Sequence, residues 1–152
     1  MAQPADLDRR IEVLEDIEAI KRVKAKYWRS QDRKQPDELG DCFSEDALVD
    51  FDIEGKVQGR EAIIRRYRES LYQPHLVTLH QGYGPEIDIT SETTAKAKWG
   101  LCFHRINTQK NTVVRAGGHY EDEYAKEKGQ WKIKTTRFTT LFTERLKREP
   151  IP

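Results

Sequence analysis

The chain has 152 residues, 35% of them charged, and its 27 Lys and Arg nearly cancel 26 Asp and Glu to leave a net charge of +1. That length fits one domain with a substantial core. The near-zero balance gives no field that would draw nucleic acid or an acidic membrane. Charges of both signs are interleaved, as in Lys21-Arg22-Val23-Lys24 beside Glu15, Asp16 and Glu18, which is the pattern of a solvated helix face. Cys42 and Cys102 form no CxxC pair and no cluster with histidines, so neither a disulfide framework nor a zinc site is expected. Residues Met1 to Arg10 are polar, and no apolar run approaches the roughly 20 residues of a membrane span. The expected location is the cytoplasm, with no membrane and no nucleic acid among the partners.

From about Asp8 to Gln31, Ile11, Leu14, Ile17, Ile20, Val23 and Tyr27 recur at steps of three and four, which predicts one long amphipathic helix. Pro36 opens a short helical turn over Asp37–Cys42, anchored by Phe43. Ala47–Phe51 is strand-like and Glu54-Gly55 is a hairpin turn. A second helix starts at Gly59-Arg60 and runs to about Leu71, with Ile63, Ile64 and Tyr67 inward. Beyond Pro74 the pattern becomes extended: Leu76–Tyr83, Glu86–Ile89, Thr93–Ile106, Val113–Ala125 and Gln130–Phe142. Polar tips at Asn107–Asn111 and Lys126–Gly129 join the last three. Helices followed by a run of long antiparallel strands predict an α+β fold, a curved sheet closing around helices as an open cone, in a single domain over 1–152.

Three polar residues stand out against this apolar pattern. His80 follows Leu76, Val77 and Leu79 in a strand that reads as buried. Imidazole can take and return a proton near neutral pH, so a histidine there is either a satisfied core residue or a base. Tyr27 and Asp32 lie near the end of the first helix, five residues apart, which is about 140° around an ideal helix. They share a pocket only if the helix ends or tightens near Ser30. Tyr27 alternatively packs in the core with its hydroxyl at a pocket edge, and Asp32 alternatively caps or is solvated. Among the remaining histidines, His104 flanks Phe103 and faces the other side of a regular strand. His119, beside Gly117-Gly118, reads as structural, the glycines marking a bulge or close approach. Glu121, Asp122 and Glu123 read as a strand face and not a metal site. No P-loop or dinucleotide glycine pattern is present, so no cofactor is expected.

Several stretches resemble the SnoaL-like branch of the NTF2-like superfamily, and in particular the bile-acid 7α-dehydratases. They include Asp16-Ile17-Glu18-Ala19-Ile20-Lys21, Lys26-Tyr27 with Asp32, His80-Gln81-Gly82, Pro85-Glu86-Ile87, Ser91-Glu92-Thr93-Thr94-Ala95 and Trp99. Gly117-Gly118, Tyr120, Asp122, Tyr124 and Gly129-Gln130-Trp131 extend the likeness to residues 11–149. The resemblance implies a cone-shaped α+β barrel whose mouth takes a small hydrophobic molecule. It implies Tyr27, Asp32 and His80 as the catalytic set and puts Phe103 and Thr140 at two further site positions, and the aromatics Trp99 and Phe138 are expected to line the substrate site of the cone with them. The chain departs from the dehydratases where they carry a second acidic residue, here Phe103, and an arginine, here Thr140.

The function expected is therefore a cofactor-independent, dehydratase-like lyase acting on a hydrophobic ring or steroid-like compound. The alternatives are a ketosteroid-isomerase-like isomerase using the same groups and a non-catalytic binding or assembly module. An apolar outer sheet face, with Val113, Tyr120 and Trp131 as contributors, would need cover. A homo-oligomer is expected, a trimer by the dehydratase resemblance and a dimer next.

Overall fold

The computed structural model describes residues 4–149, so the outermost residues of the expected 1–152 domain lie outside the described residues. Helix α1 (Pro4–Asp32) is followed by α2 (Pro36–Asp41), β1 (Phe43–Phe51), β2 (Gly55–Gln58) and α3 (Arg60–Ser70). Four long strands then complete the chain: β3 (Leu76–Ile89), β4 (Thr94–Asn107), β5 (Thr112–Glu127) and β6 (Gln130–Lys147). They form one six-stranded sheet in the order β2-β1-β6-β5-β4-β3. The sheet is not closed, and it is mixed: β1 runs parallel to β6 while every other neighbouring pair is antiparallel. The fold class is α+β, as expected, with that one parallel pair as the difference.

The two halves of α1 behave differently. Ile11 and Leu14 are 46% and 63% exposed, so the amino-terminal part of the predicted stripe does not reach the core. From Asp16 onward the helix lies in the hollow of the sheet. Asp16 accepts the indole N–H of Trp131 at 2.8 Å and pairs with Lys126 at 2.7 Å. Ile20, Lys24, Tyr27, Ser30 and Gln31 are buried. The helix continues through Asp32 before Lys34 turns left-handed at φ 55°, and the N–H of Gln35 caps the carbonyl of Ser30 at 2.8 Å.

Strands β3 and β6 carry extra residues at defined places, β6 at Lys134 and Leu141. The β3–β4 register shifts between Tyr83 and Glu86, at Gly84 with φ 58° and Pro85, which joins two predicted strands into one. At Gly82 a Cβ would stand 1.8 Å from the Trp28 ring, so the indole lies directly on backbone. Tyr120 and Trp131, expected on the outer face, are 3% and 4% exposed and point inward. Tyr120 shares the inward side of β5 with Asp122 and Tyr124, and Trp131 is held by Asp16.

A charge pair sits inside this core. Lys24 and Asp122, both without exposed side-chain surface, approach to 2.7 Å. Asp122 also accepts the hydroxyls of Thr136 at 2.6 Å and Tyr124 at 2.8 Å. The ammonium stands 3.6 Å from the centre of the Tyr120 ring. Burial lowers the Lys24 pKa, and the adjacent carboxylate acts against that shift. Breaking such a pair leaves one charge stranded, whereas replacing both partners does not. Lys24→Met should therefore lower the unfolding free energy in urea by about 3–5 kcal/mol. Lys24→Met with Asp122→Leu should lose clearly less than the sum of the two single changes, and additive losses would show that the pair is uncoupled.

Candidate functional site

The strand register sets out the concave side in rows. His80 of β3 lies opposite Phe103 of β4, Phe103 opposite Ala116 of β5, and Ala116 opposite Thr143 of β6. The next row toward the carboxyl end of β4 is Thr78, Arg105, Val114 and Arg145. On the other side come Gly82, Leu101, Gly118 and Thr140, and then Trp99, Tyr120 and Phe138. These rows and α3 enclose a cavity of about 300 Å³, lined by His80, Phe103, Leu101, Tyr120, Phe138, Tyr67 and Leu71 among others.

Asp32 and His80 come together as a bonded pair. One Asp32 carboxylate oxygen lies 2.6 Å from the His80 ring Nδ1, and the other accepts the His80 backbone N–H at 3.0 Å. An ionised carboxylate only accepts hydrogen bonds, so Nδ1 carries the proton and Nε2 is the ring nitrogen left to meet a ligand. The Asp32 side chain is 18% exposed and stands behind the imidazole, outside the cavity lining. The Phe103 ring packs against the imidazole, centroids 4.7 Å apart.

Tyr27 is placed differently from the expectation. Because α1 does not break before Asp32, the two residues keep their helical separation and face different neighbours. Tyr27 has no exposed surface and does not line the cavity. Its hydroxyl meets that of Tyr67, at 2.9 Å, and Tyr67 is the tyrosine that reaches the cavity wall. Burial pushes the phenols of Tyr27 and Tyr67 well up, so both stay protonated.

The other predicted lining residues divide. Phe103, Phe138 and Thr140 line the cavity, whereas Trp99 is buried edge-on against Trp28 at 5.5 Å, outside it. Thr140 gives its N–H and its hydroxyl to Asp52 at 2.7 and 2.8 Å. Desolvation pushes the Asp52 carboxyl up, but the bonds from Thr140 and the N–H of Ile53 outweigh it and hold the group below the usual range. His104 lies opposite Leu79, on the outer side of the sheet. Among the described residues no three His, Cys, Asp or Glu side chains gather as a metal site.

Sequence reasoning missed the cavity roles of Tyr67, Asp52, Arg105 and Arg145. Arg105 was within reach, since alternation from Phe103 places it on the same face. Tyr67 needed α3 to dock on the open side of the sheet, which no local pattern reports.

An open, curved sheet wrapped on a long helix, with a histidine–carboxylate pair on the wall of an apolar cavity, defines an α+β cone protein. Residues 12–137 match the SnoaL-like domain, and the chain belongs to that family within the NTF2-like superfamily. It is similar to a protein of Novosphingobium aromaticivorans described as a candidate scytalone dehydratase. The two are 27% identical over 89% of this chain and 90% of that one, with a TM-score of 0.83. The fold also matches a type 2 LinA hexachlorocyclohexane dehydrochlorinase, 17% identical over 94% of this chain and 98% of that one, TM-score 0.85. An NTF2-like protein with a cystatin-like fold from the same Novosphingobium aromaticivorans is 18% identical over 93% and 92%, TM-score 0.77.

The tyrosine pair has an asymmetric consequence for stability. Tyr67→Phe strands the enclosed Tyr27 hydroxyl and should lower unfolding free energy by about 1–3 kcal/mol. Tyr27→Phe leaves Tyr67 able to turn to cavity water and should cost about 1 kcal/mol or less. Urea titration of both variants checks the order, and equal losses would mean that Tyr27 has a second partner.

Proposed function

We propose that this protein is a cofactor-independent lyase of the dehydratase type, acting on a hydrophobic ring compound, with His80 as base. The observation that carries the reading is the Asp32–His80 pair set in the wall of an apolar cavity. His80 Nε2 takes a proton from carbon, the C–H electron pair becomes the new C=C bond, and the bond from the neighbouring carbon to its hydroxyl oxygen breaks. The imidazolium returns that proton to the departing oxygen, which leaves as water, so the histidine ends as it began. Asp32 holds the tautomer and balances the transient imidazolium charge. Tyr67 donates a hydrogen bond to the departing or carbonyl oxygen, and Tyr27 orients the Tyr67 hydroxyl from behind. The cavity stays open although Phe103 and Phe138 line it, which favours a ligand site over a plugged assembly module.

The match to a candidate scytalone dehydratase supports the reaction class. Phe103 and Thr140 set this chain apart from the bile-acid 7α-dehydratases it resembles, so a smaller or flatter ring is favoured over the bile-acid intermediates. His80→Ala should reduce turnover of a cyclic β-hydroxy ketone by on the order of 10²–10⁴-fold with the fold intact. Asp32→Asn should also reduce it, with the loss mainly in kcat. Steady-state kinetics beside thermal melting separate the readings: unchanged turnover with a lowered Tm would make His80 a core residue.

We also propose that the outer sheet face is covered by further copies of this chain. Val77, Leu79, Tyr83, Phe142 and Leu146 are 53%, 49%, 53%, 49% and 43% exposed, and an apolar expanse of that kind is seldom left bare. Val113 lies opposite Leu146 on that side. A trimer is favoured by the dehydratase resemblance, then a dimer. Light scattering at micromolar concentration should report a multiple of the chain mass, and a monodisperse monomer would refute the assembly.

A further inference from the structure

The rim of the cavity carries two cations that the proposed elimination does not use. Arg105 and Arg145 lie on β4 and β6, each opposite Val114 of the intervening strand, so their backbones stand about 10 Å apart across one sheet row. Both line the cavity. Arg105 is half-buried and Arg145 exposed. Among the described residues neither forms an ion pair or a side-chain hydrogen bond, in contrast to Arg29, paired with Glu38, and Arg137, paired with Asp50 and Glu123. Two carboxylates share the cavity, Asp52 and Glu54, both on the β1–β2 turn. Asp52 is bound to Thr140, which lies opposite Gly118, four residues along β5 from Val114 and thus about 13 Å away. The acidic lip is therefore at the far side of the cavity from the arginine row.

The arginine row is one step from His80. Arg105 is two residues from Phe103, the residue opposite His80, which is a displacement of about 7 Å along the strand. Guanidinium groups keep their charge at all working pH values and present planar, paired donors that match a carboxylate. At the cavity edge the half-buried Arg105 is less screened by water than the exposed Arg145, and the two carboxylates of the cavity, Asp52 and Glu54, lie on its other lip.

We propose that Arg105 and Arg145 form an anion subsite, and that the substrate is an apolar ring compound bearing a carboxylate. This rests on the lyase reading and narrows its substrate class. The ring fills the aromatic floor beneath His80, the carboxylate meets the guanidinium pair, and the spacing holds the reacting carbon one sheet row from the anion. A neutral steroid-like ligand would leave both cations idle.

Matched probes test this in the native protein. Calorimetric titration at low ionic strength would compare 2-naphthylacetate with 2-naphthylacetamide, and phenylacetate with phenylacetamide. Each acid should bind about tenfold or more tightly than its amide, and added salt should shrink the gap. Arg105→Gln with Arg145→Gln should bring the acid down to the affinity of the amide and leave the amide unchanged, with thermal melting confirming the fold. Equal affinity of acid and amide in the native protein, or an acid preference that survives the double change, overturns the subsite and leaves the apolar-cavity reading standing. Failure of all four probes to bind overturns both.

Discussion

The arrangement of the site depends on how one carboxylate is used. β3 is the last strand of the sheet, so half of its backbone N–H groups have no strand partner. Asp32, on the final turn of α1, takes one of them, the N–H of His80, with one oxygen and the imidazole of the same residue with the other. A single side chain thus sets the end of the helix against the sheet edge, satisfies an edge donor, and fixes both the ring orientation and the tautomer of His80. Each bond favours the other, because backbone and ring belong to one residue. Whatever chemistry the cavity performs inherits its geometry from this junction.

A second polar device lies one layer deeper. The Lys24–Asp122 pair joins the middle of α1 to the middle of β5, and the ammonium supports the Tyr120 ring, which faces the cavity floor against Phe138 at 4.7 Å. Thr136 and Tyr124 complete the shell around the carboxylate. Buried charge of this kind contributes little net stability and is better at rejecting wrong packings. A helix rotated or slipped by one residue would strand both charges in an apolar core. The same restriction holds Tyr120, and with it the depth of the cavity.

Much of this was legible in the residues. The period of α1 from Ile17 to Tyr27, the alternation of the late strands and the two hairpin tips were sufficient for an α+β cone. His80 stood out as a polar residue in an apolar strand. What was not legible had a common cause: it depended on where a chain segment met another segment distant in sequence. The 140° between Tyr27 and Asp32 was correct, but nothing local said that both directions would be occupied, one by α3 through Tyr67 and the other by the edge of β3. The exposed amino-terminal half of α1 failed for the same reason, since periodicity reports an apolar face and not whether the sheet extends far enough to cover it. Trp99 satisfied the lining pattern by alternation but is screened from the cavity by Trp28. That packing exists because Gly82 lets the indole sit on backbone.

The parallel pairing of β1 with β6 carries a consequence for the order of assembly. Val49 of β1 rests beside Thr136 of β6, so a strand made early in synthesis waits for the last one before it has a neighbour on that side. The hairpins β3–β4, β4–β5 and β5–β6 can each close locally as they emerge. β1 and the short β2 cannot join the sheet until β6 is available, and long-range pairings of this kind form slowly. While the nascent chain is still attached to the ribosome, the side of the cavity bearing Phe51, Asp52 and Thr140 would be the last to exist. Capacity to hold a ligand would then arrive once β1 has paired with β6, in a single late step.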